Sequence, residues 1–305
     1  MALLNTAATR PSIVLIVLRY LAQQRGKKDD VQRLIAMLAP SGLSSDGAHQ
    51  SDVRDSLRAA IDLGIVERDG NEVRLVDSAV DPVRSGQRTS VALLRSAVLA
   101  TSVNTEGWGS QAGARDLTNA LAWYLTFSAD DAPSAMEDGT HSAKEMQTVD
   151  FGPRQSPVRG HPDEDDDAGG WPIGNDNRWR AFRFWACSLG FAWMEPNGNM
   201  VPDPTPAVRD SLPKILTKSS ELEARDFVKR LGEAVPVLDT GIYRRFVESN
   251  WRRPSPEQRR LSSPLTDALE RLRNDRELEF SDRADAPRVT RADGTTFSHV
   301  RLVRP

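Results

Sequence analysis

The side chains most able to do chemistry in this sequence are arginines that lie close together in two stretches. One stretch, around residues 178–183, is interleaved with tryptophans, and the other holds six arginines against two glutamates between residues 240 and 260. Guanidinium groups present a planar fork that suits phosphate, and aromatic rings can stack on bases. We therefore predict nucleic-acid contacts for Arg178, Arg180, Arg183, Arg244, Arg245, Arg252, Arg253, Arg259 and Arg260.

Both arginine stretches also have an interpretation without a ligand. Charged side chains commonly coat the solvated face of a helix while apolar residues of the same helix fill a core. For Trp185 we prefer this core position to stacking on a base. For the arginines, a phosphate contact and a solvated helix face remain open alternatives.

Residues suited to catalysis or metal binding are few and scattered. The chain has four histidines, at His49, His141, His161 and His299. The single cysteine, Cys187, lies in a tryptophan-rich helical segment, where a small packing role is expected. No spacing indicates a metal site or a Ser–His or Cys–His nucleophile, and no glycine-rich segment has the spacing of a nucleotide-binding loop. We expect no catalytic residue, no metal, no cofactor and no small-molecule substrate.

The composition excludes several other classes of protein. The 305 residues include 40 basic and 43 acidic residues, so the net charge of −3 does not by itself indicate nucleic-acid binding. One cysteine excludes an intramolecular disulfide framework and fits a reducing compartment. The most apolar run, residues 13–18, is far shorter than the roughly 20 residues of a membrane-spanning helix and lacks the context of a signal peptide. We therefore predict a cytoplasmic protein.

The first 82 residues show three helical segments followed by a hairpin. Apolar residues at helical spacing predict helices over residues 11–24, after Asp29 or Asp30, and from Ser51 to Gly64. Alternating residues then flank the turn Asp69-Gly70-Asn71, which favours a tight hairpin. This order predicts a winged helix-turn-helix module over residues 1–82; another small three-helix α+β domain is the alternative.

The junction between the third helix and the hairpin recurs along the chain. Leu63-Gly64 followed by Asp69-Gly70-Asn71 is echoed by Leu189-Gly190 followed by Asn197-Gly198-Asn199. We predict a second module over residues 83–210 and a third, with helices before a terminal hairpin, over residues 211–305. The predicted fold class is mainly α with small β-hairpin wings, arranged as tandem winged-helix modules.

The second module is predicted to contain a disordered acidic insertion over residues 128–176. This stretch has twelve acidic and three basic residues, including the run at residues 163–167, and few residues that could bury apolar surface. It contributes about −9 to the net charge of −3. The remaining body therefore carries about +6, which is mildly basic.

Packing residues near the beginning of the chain carry a resemblance to a known family. Leu3-Leu4-Asn5, Pro11-Ser12-Ile13-Val14 and Arg19-Tyr20-Leu21, together with the chain length and the repeated Leu-Gly junctions, make the sequence similar to DpdG proteins. Those proteins are encoded in bacterial clusters that place 7-deazaguanine derivatives in DNA and restrict unmodified DNA. The resemblance implies a setting in DNA modification and antiviral defence, and it supplies no catalytic residues.

Two functions follow as hypotheses. The first is a non-enzymatic subunit that binds or organises double-stranded DNA through the arginines above. The second is an adaptor that docks other proteins of the same defence cluster through its winged helices. The predicted third helix of the first module supports the second hypothesis, because it mixes Asp52 and Asp55 with Arg54 and Arg58, and carboxylates repel phosphates.

Overall fold

The chain is mainly helical, with small antiparallel sheets, as the sequence predicts. A computed structural model describes residues 2–5, 9–40, 42, 48–105, 113–137, 141–153, 170–216, 221–254 and 260–303. The fold divides into two compact units. The first unit comprises Met1–Leu117 and Ile173–Leu189, and the second comprises Thr118–Pro172 and Gly190–Pro305. The predicted module boundaries at residues 82 and 210 stay predictions.

Twelve α-helices and ten short strands lie in the described part of the chain. The helices are α1 (Pro11–Gln23), α2 (Val31–Leu38), α3 (Ala48–Asp62), α4 (Asp77–Ser85), α5 (Gln87–Leu99), α6 (Arg115–Tyr124), α7 (Ala143–Phe151), α8 (Asp176–Ser188), α9 (Thr205–Ile215), α10 (Ala224–Ala234), α11 (Ile242–Glu248) and α12 (Ser263–Asn274). The strands are β1 (Lys28–Asp30), β2 (Val66–Asp69), β3 (Glu72–Leu75), β4 (Ala192–Met194), β5 (Met200–Pro202), β6 (Glu221–Glu223), β7 (Leu278–Ser281), β8 (Val289–Thr290), β9 (Thr296–Phe297) and β10 (His299–Leu302).

The core of the first unit forms around α1. Its apolar residues recur at helical spacing, so Val14, Val17, Leu18 and Leu21 are fully buried. Helices α3, α4, α5 and α8 all pack on α1. Helix α2 begins after Asp30, whose carboxylate accepts hydrogen bonds from two free backbone amides of the first turn. These positions confirm the predicted helices of residues 11–64.

The junction between α3 and the β2–β3 hairpin has the predicted left-handed residue. Gly64 has φ +69°, and its amide donates to Ile61 O at 2.9 Å. The amide of Ile65 donates to Ala60 O at 3.0 Å, which completes a Schellman motif and turns the chain into β2. Gly190, with φ +73°, likewise separates α8 from β4.

The second unit repeats the sheet arrangement of the first. The first unit contains a sheet of order β1-β3-β2, in which a short strand directly before a helix pairs with the second hairpin strand. The second unit contains a sheet of order β6-β10-β7. Strand β6 lies directly before α10, β7 follows α12, and β10 pairs with both of these strands. Here Arg276 takes the left-handed position, with φ +58°, and its amide donates to Arg273 O. Helix α9 precedes β6 in the chain, as α1 precedes β1 in the first unit.

The expectation that residues 128–176 are largely disordered is wrong for the parts of this stretch that the structure describes. Helix α7 forms within it, and the hydroxyl of Ser142 accepts a hydrogen bond from the Glu145 amide at 3.2 Å. Trp171 is buried, and its indole N–H donates to Gly152 O at 2.8 Å. A few buried apolar residues and one helix cap therefore suffice to order a segment of acidic composition. The acidic run at residues 163–167 lies outside the described residues.

Candidate nucleic-acid interface

Arg178 is buried and does not reach the surface of the first unit. It follows the N-cap of α8, where the Asn175 side chain accepts a hydrogen bond from the Arg178 amide at 3.0 Å. Only 4% of Arg178 is exposed, and its Nη2 lies 3.6 Å from Asp116 Oδ2. Because buried charges must be paired, the guanidinium of Arg178 has its charge partner within the core.

Asp116 connects Arg178 to the beginning of the chain. Its carboxylate accepts hydrogen bonds from the amides of Leu3 at 3.3 Å and Leu4 at 2.7 Å. Burial raises the pKa of Asp116, while Arg178 and the backbone amides oppose that rise. The arrangement fixes residues 2–5 against the core of the unit, since Leu3 and Leu4 are also buried.

Arg244 is a second predicted contact residue that the structure buries. Its Nε lies 2.7 Å from Glu248 Oε1 on the same helix, α11. Its Nη1 donates to Ala122 O at 3.2 Å, and its Nη2 lies 3.8 Å from Asp239 Oδ1. With 3% of the residue exposed, Arg244 joins α11 to the end of α6 and offers no free guanidinium edge.

Arg253 fills a pocket made of aromatic rings and one carboxylate. Its Nε lies 2.7 Å from Asp150 Oδ1, and its Nη2 donates to Asp150 Oδ2 at 2.7 Å. The guanidinium carbon lies 4.9 Å from the Phe127 ring centroid and 4.3 Å from that of Trp251. Burial raises the pKa of Asp150, against the lowering effects of Trp123 and Arg253. Burial also lowers the pKa of Arg253. This cluster fixes α7 to residues 251–253.

The remaining arginines of the second stretch are exposed where they are described. Arg245 and Arg252 are both exposed. Arg260 is exposed and donates from Nη2 to Ala292 O at 3.0 Å. Arg259 lies outside the described residues. Of the six arginines predicted between residues 240 and 260, the structure thus places Arg245, Arg252 and Arg260 at the surface of the second unit.

The first unit carries a cationic surface that includes an exposed ring, and we name it the α8 face. It consists of Arg10, Arg180, Arg183 and Phe184. Arg180 is exposed and stands one turn before Phe184, which is 44% exposed, and Arg183 is half-buried. The guanidinium carbon of Arg10 lies 5.9 Å from the Phe184 ring centroid. Within α8, Asp176 in the first turn is the only acidic residue.

Sequence reasoning found Arg180 and Arg183 but missed Arg10 and Phe184. Helix α8 alternates aromatic and basic residues, and most of its rings enter the core: Trp179, Phe182 and Trp185 are at most 4% exposed. Trp185 therefore occupies the predicted core position. The i, i+4 spacing of Arg180 and Phe184 is a signal that could have identified the ring on the charged side of the helix.

The exposed faces of α3 and α12 carry carboxylates. On α3, Asp52 and Asp55 are half-exposed beside exposed Arg54 and Arg58. On α12, Asp267 is exposed, and its pKa is raised by burial and by nearby acidic groups, against the lowering effect of Arg271. Carboxylates oppose the approach of a phosphate backbone, so these helices are poorer candidates for DNA contact than α8.

The arginines of α12 also have acidic partners. Arg271 Nη1 lies 2.5 Å from Asp203 Oδ2, and Arg273 pairs with Glu270. Such pairing lowers the net positive charge that the helix presents to solvent.

Within the described ranges, no group of three or more His, Cys, Asp or Glu side chains is placed to hold a metal ion. None of the helices described above combines the length and the apolar character that a membrane span requires.

The family model described as DpdG-like matches residues 1–286. No curated protein and no solved structure matches the chain significantly.

Proposed function

Since the chain belongs to the DpdG-like family, we propose that it acts in a bacterial system that places 7-deazaguanine derivatives in DNA. In this proposal it is a non-enzymatic subunit that binds double-stranded DNA. The observation that carries the proposal is the α8 face, which presents Arg10, Arg180 and Arg183 with a single acidic residue on the same helix.

The proposal includes tandem winged-helix modules as the architecture. It is supported by the shared strand orders β1-β3-β2 and β6-β10-β7 and by the left-handed residues Gly64 and Arg276 before each hairpin. In this architecture α8 is the third helix of the second module. The equivalent helix of helix-turn-helix proteins lies in the major groove and contacts base edges with its N-terminal residues.

Electrostatics favours the α8 face over the other third helices. Arginine binds phosphate through charge-assisted hydrogen bonds and releases condensed counterions, so binding weakens as salt rises. The three arginines of the α8 face are expected to contribute about −3 to the slope of log affinity against log salt, and each further contact adds about −1. Exposed Arg245, Arg252 and Arg260 belong to the proposal as phosphate contacts of the second unit.

The test is the affinity of the full chain for a short DNA duplex, measured by fluorescence anisotropy over a range of salt concentrations. We expect Arg180→Gln combined with Arg183→Gln to weaken binding roughly tenfold to a hundredfold at low salt. The salt slope should fall by about 2, one for each phosphate contact.

The matched control removes two arginines from α3 of the same unit, as Arg54→Gln with Arg58→Gln. Each of the two variants loses two arginines, so they have the same net charge. Arg54 and Arg58 are both exposed, so their replacement should not disturb the core. It should bind DNA within about twofold of the parent chain. Equal losses in the two variants would assign the effect to net charge and would contradict a site on α8.

An adaptor is the second candidate function, and an apolar surface on α2 favours it. Met37 is 61% exposed and lies beside exposed Ala36. Methionine is enriched in protein–protein interfaces relative to the rest of the protein surface. If the chain is an adaptor, Met37→Glu should abolish co-purification with proteins encoded in the same cluster and leave DNA affinity unchanged. Unchanged co-purification would exclude this surface.

A further inference from the structure

The exposed ring of Phe184 is the feature of the α8 face that phosphate binding does not explain. Phosphate contacts need only arginines, and the other aromatic rings of α8 are buried. Phe184 keeps 44% of its surface exposed and has Arg10 over its ring. Arg180 precedes it by one helical turn on the same side.

The face of an aromatic ring recognises the face of a base, and an intact duplex does not offer that surface. In B-DNA the bases are stacked, and the grooves display only base edges and phosphates. A base becomes available to a ring when it is unpaired, as in a single-stranded gap, a displaced strand or a flipped nucleotide. Stacking on a ring is then tolerant of base identity, since each base has a π-face.

We infer that the α8 face binds an unpaired nucleotide, with the base stacked on Phe184 and adjacent phosphates on Arg180 and Arg183. This inference rests on the proposed function and specifies its substrate as DNA with unpaired bases. Arg10 lies over one face of the ring as a cation, so the base stacks on the opposite face and Arg10 adds positive charge across the ring from it. A stacked base and a phosphate are thus recognised by neighbouring side chains of one helix and the residue before α1.

The charge of the surface favours a nucleotide over an apolar protein segment. Arginines surround the ring, whereas Met37 on α2 stands beside Ala36. A polyanion that carries flat rings is complementary to the α8 face in both charge and shape. A protein segment would need an acidic residue and an aromatic residue at matching positions.

The experiment measures the affinity of the full chain for three probes: a DNA duplex, the same duplex with a single-stranded gap, and the single strand alone. The parent chain should prefer the gapped duplex over the intact duplex by roughly five- to a hundredfold, the range expected for one stacked base. Phe184→Leu should remove this preference, so that the variant binds the gapped and the intact duplex with equal affinity. Phe184→Trp should restore the preference because its larger ring stacks better.

Met37→Leu is the matched control, since it replaces another exposed apolar side chain of the first unit and should leave all three affinities unchanged. Thermal unfolding of each variant verifies that the fold is retained. If Phe184→Leu keeps the preference for the gap while the double arginine variant weakens every probe, the inference is overturned and the proposed function stands. If the arginine variant changes none of the affinities, both the inference and the proposed function are overturned.

Discussion

Arg276 occupies in the second unit the left-handed position that Gly64 occupies in the first. At positive φ, a residue with a Cβ atom carries a conformational cost of roughly 1–2 kcal/mol, and glycine does not carry that cost. The hydrogen bonds from the Arg276 and Glu277 amides hold the residue there, at 3.0 and 2.9 Å. The fold therefore contains local strain at one end of α12.

Arg276→Gly should raise the free energy of unfolding. Relief of strain exceeds the added entropy of a glycine in the unfolded chain, so we expect a net gain of about 0.5–1 kcal/mol. Chemical denaturation measures the change. Arg276→Ala is the control and should give no gain, because alanine keeps the Cβ atom; a similar gain from both variants would point to the arginine side chain instead.

The buried pair of Asp116 and Arg178 makes a second prediction at this scale. Asp116→Ala leaves an uncompensated charge on Arg178 in the core and should cost about 3–5 kcal/mol of unfolding free energy. Arg178→Met combined with Asp116→Asn should recover part of that loss, because the amide oxygen can still accept from the Leu3 or Leu4 amide. A double-mutant cycle by chemical denaturation measures the coupling, and additive losses would exclude the pair.

The pair also sets a pH dependence with a definite sign. Because burial raises the pKa of Asp116 in the folded state, the folded chain binds a proton more readily than the unfolded chain. Ionisation of this carboxyl therefore lowers the free energy of unfolding at neutral pH. The loss disappears as the pH falls through the raised pKa of the folded state towards the pKa of the unfolded state. Stability of the parent chain relative to Asp116→Asn should increase on acidification; a constant difference would contradict the raised pKa.

At the scale of elements, α7 depends on contacts at both of its ends. Ser142 caps its beginning, and Asp150 near its end binds Arg253 and the indole N–H of Trp123. Gly152 follows with φ +90°, and an added Cβ atom there would clash with the Arg252 guanidinium. The helix is short, so tertiary contacts supply most of its stability.

Asp150→Ala should therefore destabilise α7 more than removal of its N-cap at Ser142 does. We expect a cost of about 3 kcal/mol, since Arg253 loses its carboxylate while partly buried, and faster amide hydrogen exchange over residues 143–151. Ser142→Ala, as the comparison, should cost about 1 kcal/mol. Mass spectrometry measures the amide hydrogen exchange of both variants. Equal exchange rates over α7 in the two variants would contradict this order.

Some elements could be predicted from sequence and others could not. Helices α1 to α3 and the β2–β3 hairpin follow from apolar spacing, the Asp30 cap and the turn at Asp69-Gly70. Helix α4 was missed because Pro82 lies inside it, and the burial of Ala79 and Val83 compensates for the hydrogen bond that proline removes.

Strands β1 and β6 were missed for a different reason. Each has three residues, too few for an alternating pattern, and each forms because the second strand of a hairpin offers an open edge.

The candidate site was predictable only in part, for a reason that lies in tertiary contacts. Sequence identifies arginines on a helix, but it does not show which of them meet a carboxylate. Arg178 pairs with Asp116, Arg244 with Glu248, and Arg253 with Asp150. Only the pairing of Arg244 with Glu248 has the i, i+4 spacing that a sequence reveals.

At the scale of the whole molecule, the first unit is discontinuous in sequence. Helix α8 packs on α1, and Arg95 Nε donates to Leu189 O at 2.6 Å, so residues 173–189 complete a core begun by residues 1–117. A fragment that stops at residue 82, the predicted end of the first module, lacks α5 and α8. It exposes the apolar residues of α1 that these helices cover.

A second chain for comparison joins residues 1–117 to residues 173–189 through a linker of about 20 Gly and Ser residues, which replaces residues 118–172. We expect the fragment of residues 1–82 to be much less stable than this second chain. The physical reason is the loss of apolar burial on α1, at about 25 cal/mol per Å². Thermal unfolding followed by circular dichroism compares the two. Equal melting temperatures would show that residues 1–82 form an autonomous domain.

The place of Asp116 and Arg178 in the chain has a consequence for synthesis on the ribosome. At about 5–20 residues per second, Asp116 leaves the peptidyl-transferase centre several seconds before its partner is made. During that interval the apolar face of α1 lacks α8 and is open to chaperones and to neighbouring nascent chains. The first unit therefore reaches its native state during translation only after residues that belong to the second unit have already emerged.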